Sequence, residues 1–409
     1  MRRVVVTGMG VISPIGNNIT AFWENLLQGK NGIGPITSFD TTEYKAKLAA
    51  EVKDFDPREY MNRSDMLRSD RYAHFGYAAA CQAIEDSQIQ GTLSPEKMGV
   101  YFGTGIGGIH TFEEENTKLI QKGPRKVSPF FIPMLISNMA AGMIAIRFEC
   151  KGAAMPAVTA CASGANAIGE AVRAIRHGYL DGAVCGGSEA AITQTGVAGF
   201  INMQALSTAE HPDEASLPFD SRRGGFVMGE GGAALILEEY EHAKQRGAKI
   251  YGEICGYGVT CDAYHITAPK PDGEGGAEAV RAALAEANYQ GTEKIYVNAH
   301  GTGTPLNDVT ETVVLKKAFG EEKAKDLLIS STKSMTGHLL GAAGAAEAIV
   351  CLKALEEGKV PPTINLKQQD PECDLNYVPE KAVEAALDLA VSNSLGFGGH
   401  NVCLAFRRV

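Results

Sequence analysis

The chain has no Cys-x-x-Cys pair, a single tryptophan and no apolar run long enough to cross a bilayer. Each shortage excludes something. The most apolar window, 130–148, is interrupted by Ser137, Asn138 and Arg147, whereas a membrane span needs about 20 mostly apolar residues. Met1-Arg2-Arg3 before Val4-Val5-Val6 has the charge of a signal peptide. Thr7, Gly8 and Gly10 cut its apolar run short of the roughly 7–15 residues required, so the segment reads as a first β-strand and the expected location is cytoplasmic. Positive charge is also scarce. Lys and Arg number 38 against 48 Asp and Glu, a net charge of −10, which argues against a general nucleic-acid surface. The nine cysteines are odd in number and unpaired in motif, so neither a disulfide framework nor a structural zinc site is expected. Most sit among Ala, Val, Ile and Leu, as small core residues do.

What is present is an ordinary globular composition, 44% apolar and 21% charged over 409 residues, enough for a large core. Short β-branched runs alternate with helical periodicity. Strands are predicted over 4–7, 100–103, 157–159, 182–186, 233–237, 251–258, 295–298, 328–330 and 402–407. Helices are predicted over 20–28, 69–87, 162–176, 240–246, 276–287, 310–319 and 339–357. Such alternation implies an α/β fold with mixed sheets covered by helices. A strand–turn–helix order at 159–176 is echoed at 328–357, with a joint near 244–251, so two similar halves are expected, 1–250 and 251–409.

Four loops carry the chemistry. In Val158-Thr159-Ala160-Cys161-Ala162-Ser163-Gly164, a strand ends and a small-residue helix begins at Cys161. A helix N-terminus favours a thiolate. Its dipole is worth about 0.3–1 kcal/mol, up to ~2, against ~1.4 kcal/mol per pKa unit. The expectation is a thiol lowered by about one unit, still needing a base nearby. His300, in Asn298-Ala299-His300-Gly301-Thr302, follows a strand at the end where α/β proteins place ligand groups. Lys333 and His338 share the loop Ser330–His338, and a fixed lysine charge disfavours protonation of a neighbouring histidine. In Asn393-Ser394-Leu395-Gly396-Phe397-Gly398-Gly399-His400, an aromatic sits between glycines whose backbone N–H groups could serve an oxyanion. Alone, each also suits a packing role: a core cysteine, a capping histidine, a solvated lysine, a turn. Their joint occurrence is far more specific. One competing motif, Gly103-Thr104-Gly105-Ile106-Gly107-Gly108, matches G-x-G-x-x-G after a strand. It lacks the following βαβ context with an acidic residue and reads as a tight turn beside a pocket rather than a dinucleotide site.

These loops resemble the β-ketoacyl-[acyl carrier protein] synthases, most closely the elongating enzymes of bacterial type II fatty acid synthesis. The resemblance spans nearly the whole chain and rests on Thr159-Ala160-Cys161, Asn298-Ala299-His300-Gly301-Thr302, Lys333-Ser334-Met335-Thr336-Gly337-His338 and Gly396-Phe397-Gly398-Gly399. It implies a thiolase-like fold of two βαβαβαββ halves in five layers, α-β-α-β-α, and a homodimer. It implies acylation of Cys161 by an acyl carrier protein thioester, then decarboxylative condensation with malonyl-carrier. His300 and His338 would hydrogen-bond the malonyl thioester oxygen while neutral, Lys333 would order them, and Phe397 would gate the nucleophile.

By the same resemblance Thr302 and Thr304 would hold the pantetheine arm. Ile106 and Phe131 would line the acyl tunnel, Phe131 from the partner subunit, and Arg125 and Lys126 would contact the acidic carrier. Asp262, His265, Asp308 and Glu311 would be supporting polar groups. Asn298, Glu347, Ser392 and Asn393 resemble a structural site for a monovalent or magnesium cation. No resident cofactor is implied, since the phosphopantetheine arrives on the carrier. Two places depart from the family pattern: Gly303 stands where a serine is usual, and 61–70 is less basic than carrier-docking surfaces often are. A degradative thiolase would show a second catalytic cysteine and an initiating synthase a Cys-His-Asn set, and His338 after Lys333 fits neither.

Overall fold

A computed structural model describes residues 1–409. Ten strands form the main sheet: β1 (Val4–Ile12), β2 (Met98–Gly103), β3 (Ala154–Ala157), β4 (Gly182–Glu189), β5 (Gly231–Glu239), β6 (Gly252–Cys261), β7 (Ile295–Asn298), β8 (Leu328–Ser330), β9 (Leu389–Gly396) and β10 (His400–Arg407). Their order is β8-β7-β9-β10-β6-β1-β5-β4-β2-β3. From either edge the sequence is third, second, fourth, fifth, first strand of its half. Directions match too: the first three neighbours run parallel and the fifth strand is antiparallel to both its neighbours. The halves meet where Val5 pairs with Glu253 and Val6 with Gly252.

Alternation along the strands builds the layers. In β5, Ala233, Leu235 and Leu237 face one core and Ala234 and Ile236 another. In β9 and β10, Ala390, Val402, Leu404 and Phe406 face that same first core, while Leu389, Val391, Cys403 and Ala405 face a third. The shared core holds the helices α2 (Ser163–Arg176) and α5 (Ala343–Glu357), wedged between the two half-sheets. Helix α1 (Arg71–Ser87) covers the outer face of the first half, and α3 (Glu274–Glu286) and α4 (Pro305–Phe319) that of the second. This is the expected five-layer arrangement.

The halves repeat in detail. A Cβ at Gly8 or Gly10 would overlap the carbonyl oxygens of Ala83 and Ala79 in α1, and a Cβ at Gly256 or Gly258 those of Ala283 and Ala279 in α3. The Gly-x-Gly spacing in each first strand therefore lets a helix lie directly on the pleat. It also explains why β1 continues through glycines that on sequence grounds end it.

Other boundaries moved as well. The strand predicted at 157–159 lies at Ala154–Ala157, because 159–162 is taken into the turn before α2. Strand β9 is hidden in the sequence, since Ser392, Asn393 and Ser394 mask its apolar alternation although all three are buried. Helices at Ile109–Lys122 and Met139–Phe148 were also not predicted.

The close contact under β6 makes Gly258→Ala expected to lose about 1–3 kcal/mol through overpacking, read as a lower melting midpoint. Gly199, with nothing within 4 Å of an added Cβ, is the control: Gly199→Ala should hold or raise the midpoint.

Candidate active site

The segment after Ala154–Ala157 turns sharply before helix Ser163–Arg176. Ala160 has φ +50°, a left-handed conformation that a side-chain-bearing residue holds only under strain. Ser163 fastens the turn: its Oγ accepts the Thr159 N–H at 2.9 Å and donates to the Ala160 carbonyl at 2.6 Å. The next residue, Cys161, is thereby presented at the bottom of a cleft with 7% of its surface exposed. The thiol is not lowered as the helix position suggested. Burial pushes it up to about 12, with Lys333 and the Phe397 backbone pulling down and Glu189 pushing up. Desolvation of a buried anion outweighs a helix dipole worth about one unit.

His300 follows the strand Ile295–Asn298. The N–H groups of His300 and Gly301 both donate to Glu311 at 2.7 Å, which fixes the loop. Burial lifts the Glu311 carboxyl to about 7, against the pull of those two N–H groups. His338 Nδ1 accepts the Leu340 N–H at 3.2 Å, so the ring proton of the neutral form sits on Nε2, and Nε2 has no partner. The two rings lie 5.3 Å apart at 85°. Both are held well below the ordinary histidine range by burial and then by the Lys333 charge, with His338 adding to the effect on His300. Lys333 is itself buried and ion-paired with Glu347.

Cys161, His300, His338, Thr302, Thr304 and Phe397 all face one cleft of about 670 Å³. The hydroxyls of Thr302 and Thr304 are 2.9 Å apart. Asp262 also lines the cleft, held by Asn401 Nδ2 at 2.7 Å. Asp308 is buried beneath it and accepts the N–H groups of Phe219 and Gly303 at 2.8 and 3.2 Å. His265 is exposed and outside the cleft, its Nδ1 accepting the Thr267 and Ala268 N–H groups at 3.1 Å. Ile106 and Phe131 do not line this cleft either; Ile106 is 37% exposed and Phe131 half-buried. Arg125 and Lys126 sit in the exposed turn Pro124–Lys126. Asn298 Oδ1, Glu347 Oε2, Ser392 Oγ and Asn393 Oδ1 are all buried without a hydrogen-bond partner, and Asn298 and Ser392 are register partners on adjacent strands.

One residue escaped the sequence reading. Glu189, fully buried at the end of its strand, accepts the N–H groups of Gly105 at 2.6 Å, Gly341 at 3.0 Å and Ile106 at 3.2 Å, and the Thr104 hydroxyl at 2.9 Å. Its only sequence signal is a carboxylate ending an otherwise apolar and glycine-rich strand. It also disposes of the G-x-G-x-x-G match, because N–H groups that would cradle a pyrophosphate are already taken.

A thiol on a strained strand-to-helix turn, in one cleft with two imidazoles kept neutral by burial and by a buried lysine, on a duplicated five-strand fold, defines a thiolase-like condensing enzyme. Comparison with known proteins agrees. The family described as "Beta-ketoacyl synthase, N-terminal domain" matches residues 1–243, and "Beta-ketoacyl synthase, C-terminal domain" matches 251–367. The 3-oxoacyl-[acyl-carrier-protein] synthase 2 of Synechocystis sp. is 52% identical over 409 residues, covering 100% of this chain and 98% of the relative. That of Staphylococcus aureus is 48% identical over 408 residues, covering 100% and 98%. Among solved structures, a β-ketoacyl synthase from Burkholderia phymatum superposes with TM-score 0.93 at 34% identity, covering all of both chains. A type II polyketide ketosynthase captured with its acyl-carrier protein superposes with TM-score 0.92 at 33% identity, covering 100% of this chain and 99% of that one. The chain belongs to the β-ketoacyl synthase family.

The buried thiol has a kinetic signature. A group with a pKa of about 12 is a trace thiolate at neutrality, so iodoacetamide alkylation of Cys161 should rise about tenfold per pH unit from about pH 7 to about pH 10 without a plateau. Because Lys333 favours the thiolate, Lys333→Met should slow alkylation throughout that range. A plateau below about pH 9 would contradict the burial argument.

Proposed function

We propose that the chain is an elongating 3-oxoacyl-[acyl carrier protein] synthase of fatty acid biosynthesis, a condensing acyltransferase acylated on Cys161. The observation that carries the reading is the pair of buried, neutral imidazoles facing the Cys161 cleft beside Lys333.

The Cys161 sulfur attacks the acyl-carrier thioester carbonyl, and the carrier's pantetheine thiol leaves with the proton. Malonyl-carrier enters and its C–C bond to the carboxylate breaks, releasing CO₂. The electron pair passes to the thioester oxygen, where ring N–H groups of His300 and His338 donate. Imidazoles held neutral can donate there without being consumed as acids. The enolate carbon then attacks the acyl-Cys161 carbonyl. The backbone N–H groups of Cys161 and Phe397 receive the oxyanion, the bond from the acyl carbon to the Cys161 sulfur breaks, the departing thiolate takes a proton from solvent, and a 3-oxoacyl chain two carbons longer remains on the carrier. Thr302 and Thr304 hold the pantetheine arm in the cleft, and Phe397, followed by Gly398 at φ +86° and Gly399 at φ +76°, swings to admit the chain.

The surface supports a homodimer. Met155, on the open edge strand Ala154–Ala157, and Ile146, on the helix packed against it, are 52% and 78% exposed, and Ile132, Ile136 and Val158 are also exposed; exposed apolar side chains on an unpaired edge suit a second copy. Phe131 comes from that side and, with Ile106, walls the acyl tunnel. Arg125 and Lys126 are exposed and take part in no ion pair, which leaves them free for an acidic carrier. The reaction divides near residue 250: the nucleophile from the first half, the histidines and lysine from the second. No helix is long and apolar enough to cross a membrane, and the cytoplasm is the location that fits this reading.

The unpartnered oxygens of Asn298, Glu347, Ser392 and Asn393 fit a hard cation. These residues would hold it, and its positive charge would neutralise the Glu347 oxygen that Lys333 does not reach.

Intact-protein mass after mixing with acyl-carrier protein tests the nucleophile: one acyl group is expected on Cys161 and none in Cys161→Ala. An unmodified, folded protein with an intact donor would sink the assignment. His338→Ala should cut malonyl-carrier decarboxylation by about 10²–10³ while leaving acylation of Cys161 intact, the usual loss for one oxyanion donor.

A further inference from the structure

Arg223 belongs to none of the motifs above. It lies in the segment 220–226, whose Gly225 and Phe226 form part of the cleft wall, but Arg223 itself is behind that wall, with 5% of its side chain exposed. Its guanidinium is committed almost wholly to main chain. Nε donates to the Thr304 carbonyl at 3.2 Å and Nη2 to the Pro305 carbonyl at 3.1 Å. Nη1 donates to the Asp220 carbonyl at 3.0 Å and to Asp370 Oδ2 at 2.6 Å. The Asp308 carboxylate stands 3.8 Å from Nε.

The two carbonyls held by Arg223 are those at which the loop carrying Thr302 and Thr304 enters the helix Pro305–Phe319. At its start the same loop is tied at Gly301, whose N–H donates to Glu311 and whose carbonyl accepts the Ser331 hydroxyl at 2.6 Å; between the two threonines it is tied at Gly303, whose N–H donates to Asp308 and whose carbonyl accepts the Gly225 N–H at 3.1 Å. Gly303 has φ +73° and no side chain to stiffen the turn. The orientation of both threonine hydroxyls therefore depends on anchors outside the loop. A planar fork of five donors can grip two successive carbonyls and a carboxylate at once; an ammonium cannot reproduce that geometry.

We infer that Arg223 is a positioning residue for recognition of the phosphopantetheine arm, clamping the Thr304 and Pro305 carbonyls from behind the cleft so that the Thr302 and Thr304 hydroxyls face the arm. The inference rests on the reading of those threonines as arm-binding. Arg223 touches neither the thioester nor the acyl chain, so its loss removes binding that is equal in ground and transition states and shows in KM rather than kcat.

The test uses the full chain with malonyl-carrier protein as varied substrate and iodoacetamide as a probe of Cys161 that carries no arm. Arg223→Lys should raise KM about tenfold, with kcat and the Cys161 alkylation rate each within about twofold of the parent. Asp370→Asn, which keeps the arginine and weakens its outer anchor, should move KM the same way by less, and it decides the matter alone if Arg223→Lys does not fold. An unchanged KM overturns the inference, as does a KM increase accompanied by equal losses in kcat and alkylation. Thr302→Ala separates the two levels. If it raises KM and the Arg223 and Asp370 variants do not, the clamp is wrong and the arm site stands. If Thr302→Ala leaves KM unchanged, the arm-binding reading itself has failed.

Discussion

One buried ion pair sets the electrostatics of the whole site. Lys333 and Glu347 keep 2% and 4% of their side chains exposed, so both charges have left water at considerable cost. The lysine charge then acts in a medium that screens it weakly. After burial itself, it is the main influence keeping both histidines unprotonated, and it partly offsets the burial that pushes the Cys161 thiol up. Replacing the pair with apolar side chains would remove the desolvation cost and with it the one cation near three titratable groups. Lys333 opens the short helix Lys333–Thr336 after Leu328–Ser330, while Glu347 lies on the helix wedged between the half-sheets. The pair thus ties the reactive loop to the layer shared by both halves.

The candidate site was legible because its parts are local. Cys161, His300, Lys333 and His338 each follow a strand in a short run of small residues, and strand–loop–helix order is visible in any window that contains it. What escaped were quantities that only the tertiary structure supplies. A helix start argues for a lowered thiol, and full burial reverses it. Glu189 gathers donors from residues 104–106 and 341, and Arg223 reaches carbonyls some 80 residues ahead. Neither grouping exists in sequence. The strand Leu389–Gly396 was hidden by three buried polar residues, the mark of a strand serving a site more than a core.

The duplication is more regular in geometry than in sequence. The turn before Ala343–Glu357 repeats the one before Ser163–Arg176, with Leu340 at φ +49° matching Ala160 at φ +50°. The residue after the strained one is Cys161 in the first half and Gly341 in the second. Gly341 has no room for a side chain, since a Cβ there would meet Glu189 Oε2 and the Gly105 nitrogen. One scaffold occurs twice, and only one copy carries a thiol at this position; the other contributes both imidazoles, one from the loop after Ile295–Asn298 and one from the residues just before its own turn.

The strand order also dictates when the molecule can be completed during synthesis. Val4–Ile12 pairs with Gly231–Glu239 on one side and with Gly252–Cys261 on the other, so the first strand made waits, with both edges unpaired, for more than half the chain to emerge. The second half repeats the delay: His400–Arg407 inserts between Leu389–Gly396 and Gly252–Cys261. Pairings so distant in sequence close slowly, and a nascent chain is exposed to wrong partners for that time. The Gly396–Gly399 turn belongs to this final insertion. The Cys161 thiol is therefore translated long before the backbone that faces it, and the cleft is closed on that side only when the last strand is in place.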